Sequence, residues 1–380
     1  VVAAYRGPPS WVFVDSFWLM RTKLEKIGSW LGKPKLTDIN PETCSFGELK
    51  DRNERDCEIL YDAIALFEQS ILDRGGELRV TAASTALDIF LRRYLERPIA
   101  NSRALDAWAR PSYVASRVEK FEDTCERADV WDINSSFPYS MTFPVPGNFE
   151  GFKTTLPDND SLWIADCDVI VPDSERFPAL PYRSAEGRVY FPTGKMRARI
   201  TSEDFKAGGF RIDKVHECWC YESRLDMARF AEDFYAMRQR GGFEAEVYKI
   251  ILNSLYGKLA EREEKSVLLV NPRERPDPLR CEALEPHVYL VDESVDVEPS
   301  HVAISSMITA RSRRLLLEYI RDAASRGRVY YCDTDSVTCD ATFPDEPGVL
   351  GKMKHEASIV AGRFHGPKVY AYEKDDGKEV

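Results

Sequence analysis

Tyr330-Tyr331-Cys332-Asp333-Thr334-Asp335-Ser336-Val337 is two β-prone runs joined by an Asp-Thr-Asp tip. Aromatic and β-branched residues suit a pleated strand and the short polar tip suits a turn, so the stretch predicts a hairpin with carboxylates at its bend. Upstream, Asp132-Ile133-Asn134-Ser135-Ser136-Phe137-Pro138 predicts a strand that ends in a carboxylate and runs into a turn. Between the two lies Lys249-Ile250-Ile251-Leu252-Asn253-Ser254-Leu255-Tyr256-Gly257-Lys258. On a helix, Lys249, Asn253 and Tyr256 stand four and three residues apart and share one face.

Two acidic strand tips and a helix face bearing lysine, asparagine and tyrosine suit phosphoryl transfer. Hard carboxylate oxygens select Mg²⁺, with Mn²⁺ as a substitute, over zinc. Two such ions, about 3.5–4 Å apart, activate a 3′-hydroxyl and neutralise a leaving pyrophosphate. Lys249 would neutralise triphosphate charge, and an aromatic ring after the first carboxylate, here Phe137, would stack beneath the sugar and exclude a 2′-hydroxyl. Singly, each element has a plainer reading: a solvated turn, an aspartate capping the next turn, packing or surface residues on an amphipathic helix. The conjunction of three motifs, with these residue types in this order, outweighs the plainer readings.

The composition is compatible with this chemistry and narrows it. The chain has 380 residues, long for one compact core, with 43% hydrophobic and 30% charged residues, the balance of a globular protein of two or three subdomains. No apolar run approaches a membrane span and no signal peptide opens the chain, so no membrane partner is expected. The nine cysteines are scattered without a CxxC pair, which argues against a zinc ribbon or disulfide framework and for a reducing, intracellular, cytoplasmic setting. A net charge of −11 argues against non-specific coating of nucleic acid, but the charge is uneven. Arg311 to Arg328 holds six arginines against Glu318 and Asp322, and Glu282 to Glu298 holds six acidic residues with no lysine or arginine. The basic helix Arg311–Arg321 is read either as a phosphate contact or as a solvated face.

Apolar spacing predicts helices over Phe17–Leu31, through Ile59–Ile71 up to Gly75-Gly76, and over Thr85–Leu95, so the first hundred residues are mostly α. Beyond residue 110, β-like runs dominate (Asp129–Ile133, Leu162–Val171, Arg188–Phe191, Val288–Val291, Arg328–Thr338). They are interrupted by a helical hairpin, Asp226–Arg240 and Glu244–Glu263 about Gly241-Gly242, and by a helix over Ala303–Ala324.

In this order the three stretches resemble motifs A, B and C of family B DNA polymerases, most closely the protein-primed branch of phages and linear plasmids. Tyr113-Val114-Ala115-Ser116 resembles the Tyr-x-Gly-Gly motif that joins exonuclease and polymerase modules. Lys368-Val369-Tyr370 resembles the Lys-x-Tyr motif that steadies the primer end, and Leu350-Gly351-Lys352 through His355-Glu356 resembles a stretch before it in protein-primed enzymes. The resemblance implies an α+β, right-hand polymerase with an antiparallel-sheet palm and two-helix fingers, preceded by a partial exonuclease-like (RNase H-like) α/β region. It implies an exonuclease-like region, expected to be inactive, over 1–100, and a connector over 101–128. Palm with motif A and an insertion then covers 129–225, fingers 226–262, palm with motif C and a second insertion 263–365, and the Lys-x-Tyr region with the start of a thumb 366–380.

Residue by residue, the resemblance makes Asp132, Asp335 and Asp333 catalytic. Asp132, Asp335 and the backbone carbonyl of Ile133 become metal ligands, with Asp333 mainly supporting the site. Lys249, Asn253, Tyr256, Phe137 and Arg238 become nucleotide-binding, with Arg240 the rival to Arg238, and Lys368, Tyr370 and Tyr113 become DNA-binding. The partners implied are primer–template DNA, deoxynucleotides, and a terminal protein or accessory subunit, in the host cell of a phage, plasmid or other mobile element. The departures are Phe137 for the family's steric-gate tyrosine, Ser136 for the preceding leucine, and Ala115-Ser116 for the paired glycines. Asp56 falls where the third exonuclease motif places its aspartate, Arg52 replaces the usual tyrosine, and no Asp-x-Glu strand precedes them, so no 3′–5′ exonuclease is expected. Only about ten residues follow the Lys-x-Tyr motif, too few for a thumb. Asn271–Glu298 reads as the second insertion or as an ordinary palm elaboration. Two alternatives stand beside the polymerase: a catalytically silent nucleic-acid-binding or assembly subunit with a polymerase-like palm, and a primer-making or ribonucleotide-tolerant enzyme.

Overall fold

The computed structural model describes residues 3–5, 11–13, 15–36, 40, 42–157, 160–270, 272, 281–296 and 300–380. A short antiparallel pair, β1 (Ala3–Tyr5) and β2 (Trp11–Phe13), is followed by α1 (Leu24–Trp30), α2 (Phe46–Leu72), α3 (Ala82–Ile89), a π-helical turn (Phe90–Tyr94) and α4 (Arg103–Ala109). α2 begins well before its apolar stripe because Ser45 and Glu48 cap it reciprocally. The Ser45 N–H and hydroxyl each donate to the Glu48 carboxylate at 2.8 Å, and the Glu48 N–H donates back at 3.3 Å. Its buried face, Ile59, Ala63, Phe67 and Ile71, repeats every four residues. Among the described residues, the α/β character expected of the first hundred is confined to the β1–β2 pair.

Then come β3 (Val118–Lys120), β4 (Thr124–Cys125), β5 (Ala128–Ile133), α5 (Ser136–Met141), β6 (Val145–Lys153), β7 (Leu162–Val171), the two-residue strands β8 (Tyr182–Arg183) and β9 (Val189–Tyr190), β10 (Gly194–Thr201), α6 (Ser202–Ala207) and β11 (Arg211–Arg224). The helical hairpin is α7 (Asp226–Arg238) and α8 (Gly242–Lys258), with Gly241 and Gly242 both at positive φ in the turn. The chain continues through β12 (Arg262–Val270), β13 (Cys281–Glu285), β14 (Val288–Asp296), the long α9 (Val302–Arg326), β15 (Val329–Asp333), β16 (Ser336–Cys339), β17 (Met353–Gly366) and β18 (Val369–Lys374).

The palm is the sheet β18-β17-β5-β16-β15-β3, antiparallel at every pairing. Its back face, including Trp131, Ile133, Cys332, Val337 and Met353, packs on Leu316, Leu317 and Ile320 of α9. A second sheet, β10-β7-β11-β6, has the almost wholly buried β7 at its centre. The helical hairpin buries Phe230, Phe234, Val247, Ile251 and Leu255 against Phe67, Ile71, Leu87 and Phe90 from α2, α3 and the π turn. Of Asn271–Glu298, read as a second insertion or a palm elaboration, the described part forms β13 and β14, which pair with β12 in a three-stranded sheet of order β12-β14-β13; residues 271, 273–280 and 297–298 lie outside the described residues.

One expectation is overturned. Neither reading of the basic helix, phosphate contact or solvated face, holds for α9. Arg311 and Arg313 are buried, 3% exposed each. Arg311 bonds Glu203 Oε1 at 3.0 Å and the carbonyls of Ser140 and Pro144, while Arg313 bonds Asp204 Oδ1 at 2.9 Å. Arg314 bonds Glu203 and Glu318, and Arg321 bonds the Ala207 carbonyl. The carboxylates of α6 lie against α9, so these arginines tie the two helices together.

Candidate active site

The cross-strand register assembles the site. Asp132 on β5 stands opposite Ser336 on β16, which stands opposite Asp333 on β15, and on the other side Asp132 stands opposite Lys354 on β17. Opposed residues in antiparallel strands project to the same face, so Lys354, Asp132, Ser336 and Asp333 form one row on the face away from α9. Asp335 sits in the two-residue bend beside Asp132, and the Ile133 N–H donates to its carbonyl at 2.7 Å. Ile133 itself is wholly buried.

The backbone is strained here. Three of the four non-glycine residues with positive φ among the described residues lie at this site: Ser135 (51°), Thr334 (62°) and Lys368 (63°). For a β-branched threonine that geometry is a genuine outlier, and it is held because the Thr334 N–H donates to the Arg117 carbonyl at 2.8 Å and its hydroxyl to Asp333 at 2.9 Å. Arg117, 1% exposed, is itself fixed by the Pro178 carbonyl and by Glu119.

Lys368 follows Pro367 in the bend between β17 and β18, its N–H donating to the Tyr331 hydroxyl at 2.8 Å and its ammonium to Asp333. Tyr370 tilts against Tyr331, with ring centres 5.2 Å apart, and stacks with Tyr372 at 5.7 Å. Asp333, Asp335, Glu356, Lys368 and Tyr370 line one cleft of about 410 Å³.

The fingers residues meet in a second cleft, of about 520 Å³, lined by Lys249, Asn253, Tyr256 and Tyr113 together with Trp18 and Arg21. Phe137 joins them from the palm, its ring stacked on Tyr256 at 4.4 Å and 18°. The Lys249 ammonium lies 3.7 Å from Glu246. Of the two rival arginines, Arg238 faces the carboxylates, its guanidinium on Ser135 Oγ at 2.5 Å and its charge felt by Asp132. Arg240, two residues past the end of α7, lines a different cleft.

Burial, then the neighbouring Asp132 carboxylate, pushes Asp335 up to about 7. Asp132 is also raised by burial, with the Lys354 ammonium, 3.1 Å away, opposing the rise. Like charges are thus brought together with little on the chain to balance them, the situation a divalent cation relieves. Among the described residues no group of three or more histidine, cysteine or acidic side chains is arranged to hold an ion alone. Mg²⁺ commonly takes only one or two carboxylates and completes its shell with water and substrate phosphates, and the pair Asp132 and Asp335 fits that donor set.

Sequence reasoning passed over Lys354 and Gly351, although both lie in a quoted stretch. A Cβ on Gly351 would fall 2.4 Å from the Tyr139 ring, and its N–H donates to the Asn134 carbonyl at 2.9 Å, so this glycine lets the stretch clamp the end of β5. Strand alternation between Lys354 and Glu356 was the available signal for the first. Asp56, at the position of the third exonuclease motif's aspartate, is used locally, paired with Lys35 at 3.0 Å.

Residues 46–310 match the family described as DNA polymerase type B, organellar and viral; the chain belongs to that family. It is 26% identical over 349 residues to a DNA-directed DNA polymerase of Enterobacteria phage PRD1, spanning 87% of this chain and 60% of that protein. It is 25% identical over 368 residues to a probable DNA polymerase of Neurospora intermedia, spanning 85% of this chain and 38% of that protein. The chain therefore spans less than two thirds of the length of either relative. Its fold matches Phi29 DNA polymerase in an orthorhombic crystal form (TM-score 0.76, 19% identity, 96% of this chain and 69% of that one). It also matches the same polymerase complexed with primer–template DNA and incoming nucleotide substrates (TM-score 0.75, 19% identity, 95% and 68%). No helix among the described residues is long and apolar enough to cross a membrane.

Proposed function

We propose that this chain is the core of a template-directed DNA polymerase that adds deoxynucleotides to a primer 3′-hydroxyl. The carrying observation is the convergence of Asp132 and Asp335 on one sheet face, with Asp335 raised to about 7 by burial and its neighbour. Family membership and the fold shared with a polymerase solved on primer–template DNA support the reading. Asp132 and Asp335 would hold Mg²⁺ or Mn²⁺, with the Ile133 carbonyl adding a ligand. Such ions supply the charge that activates the 3′-oxygen and neutralises pyrophosphate as the 3′-oxygen bonds the α-phosphorus and the leaving-group P–O bond breaks. Lys249 and Arg238 draw in the triphosphate from opposite sides, and Asn253 and Tyr256 form the wall over the new base pair. Phe137, fixed by its stack on Tyr256, occupies the space a 2′-hydroxyl would need. Asp333 holds Lys368, whose bend presents Tyr370 to the primer end, and Tyr113 contacts the template side. Initiation from a terminal protein or accessory subunit, and work inside a phage- or plasmid-bearing cell, rest on the likeness of motifs B and C to the protein-primed branch.

Primer extension with Mg²⁺ and dNTPs tests the reading. The wild-type chain is expected to give a template-dependent ladder. Asp335→Asn should slow it by roughly a thousandfold or more, the ~4 kcal/mol scale of metal-borne charge stabilisation. Primer–template binding without extension would instead establish the silent subunit, and an equal ladder with NTPs the ribonucleotide-tolerant enzyme.

A further inference from the structure

α7 carries arginines on two flanks, and the polymerase reading uses only one. Arg238 faces the palm. Half a turn round the helix from it lies Arg229, with Asp233 and Met237 following at four-residue steps along the outer flank and Arg240 in the turn just past the helix end. There they line a polar cleft of about 430 Å³, closed on the far side by Asp73 and Arg74 after α2 and by Arg93 and Tyr94 of the π turn. Four guanidinium groups against two carboxylates leave two positive charges in excess, in a chain whose net charge is −11.

Neither carboxylate neutralises the arginines. Asp233 accepts from the Tyr94 hydroxyl at 3.1 Å, and Asp73 accepts from the Gln69 amide at 2.7 Å. Among the described residues, no ion pair or side-chain hydrogen bond engages Arg74, Arg93, Arg229 or Arg240. Arg74 lies over the Tyr248 ring at 5.9 Å with its Nε buried and unpartnered. Arg93 is laid across Gly75, where a Cβ would fall 2.9 Å from its side chain at a φ of +72°. The α9 arginines, by contrast, all have carboxylates or carbonyls.

Helix dipoles account for part of the cluster. The carbonyl ends of α2, of the π turn and of α7 attract Arg74, Arg93 and Arg240. They do not account for Arg229, which lies in the first turn of α7, the end that disfavours a cation. From Arg229 to Met237 the helical part of the flank runs about 12 Å at 1.5 Å per residue, with Arg240 in the turn beyond it, longer than one phosphate group.

We propose that this outer flank of the fingers is a second phosphate-binding site, taking the sugar–phosphate backbone of a single DNA strand. The identity of the strand as DNA rests on the polymerase reading; the affinity for phosphate rests on the cleft alone.

The test is equilibrium binding of fluorescein-labelled oligo(dT) by this chain, without metal or nucleotide, across a salt series. Arg74→Gln/Arg229→Gln is compared with wild type and with the charge-keeping Arg74→Lys/Arg229→Lys. Two lost contacts at about 0.7 each for single strands should make log K against log salt shallower by roughly 1.4, with the lysine pair close to wild type. In a parallel calorimetric arm, inorganic pyrophosphate is titrated into the same three proteins. An unchanged salt slope in the glutamine pair, with a pyrophosphate heat that only that pair loses, would overturn the strand and leave a free polyphosphate as ligand. Neither effect would overturn the site. Equal melting temperatures of the two variants separate a lost contact from a lost fold. Because the assay needs no turnover, a chain that never extends a primer still answers it.

Discussion

Two systems of buried charge in the palm differ in the sign of their neighbours. Where α6 meets α9, Glu203 and Asp204 face Arg311, Arg313 and Arg314, and each charge has an opposite partner within 3.0 Å. Burial alone would push Glu203 up, yet Arg311 and Arg314 hold it below the usual carboxylate range. At the sheet tip, Asp132 and Asp335 face each other, with Lys354 on Asp132 as the cation within ion-pair reach, and both are raised. Burial is similar in kind at the two places, and the sign of the neighbours differs. A balanced buried cluster is sealed and holds the structure together, whereas an unbalanced one is waiting for charge from outside, and that contrast separates scaffold from site.

The contrast breaks if removing one charge has the same consequence in both systems. Where α6 meets α9, Arg313→Ala strips the buried Asp204 of its ion pair and should destabilise the chain by about 3–5 kcal/mol, read as a clear fall in thermal midpoint; an unchanged midpoint would mean that this charge cluster is not structural. At the tip the sign reverses. Asp335 is raised from its ordinary 3.8 to about 7, so the folded state holds its proton more tightly than the unfolded state. Stability of the metal-free chain should fall as pH rises from about 4 to about 7, with the loss complete above that. Asp335→Asn should therefore be more stable than wild type at pH 8, by about 1–3 kcal/mol, and indistinguishable from it near pH 4. Denaturation at the two pH values decides this.

The smallest effect sharpens the comparison most. Lys354 is the cation paired with Asp132, so Lys354→Ala should bind Mn²⁺ about 1.4- to fivefold more tightly at pH 8, the 0.2–1 kcal/mol of a solvent-reached pair. Mn²⁺ titration followed by electron paramagnetic resonance measures it directly. Weaker binding would show that Lys354 supports the ion instead of standing in for it.

Much of this was legible in advance. The Asp-Thr-Asp hairpin, the strand ending at Asp132 and the helix bearing Lys249, Asn253 and Tyr256 are local patterns, each contained in a dozen residues. β7 runs over Leu162–Val171 as its apolar run predicts, and the helical hairpin about Gly241-Gly242 differs from expectation only at its ends. The basic helix was misread because a run of arginines looks the same whether it faces water or carboxylates from elsewhere. Glu203 lies more than a hundred residues before Arg311, and no window of sequence joins them.

The sequence by itself determined the residue types of the candidate site, their order and the secondary structure that carries them, because periodicity, turn chemistry and capping act over a few residues. Only the tertiary structure decided which of these residues meet. Long-range register set Lys354 opposite Asp132, packing chose Arg238 over Arg240 for the palm side, and α6 docking on α9 turned a basic stripe into buried ties. Those outcomes depend on strands and helices far apart in the chain arriving at one place, where burial and neighbouring charge, absent from any local pattern, set what each group does.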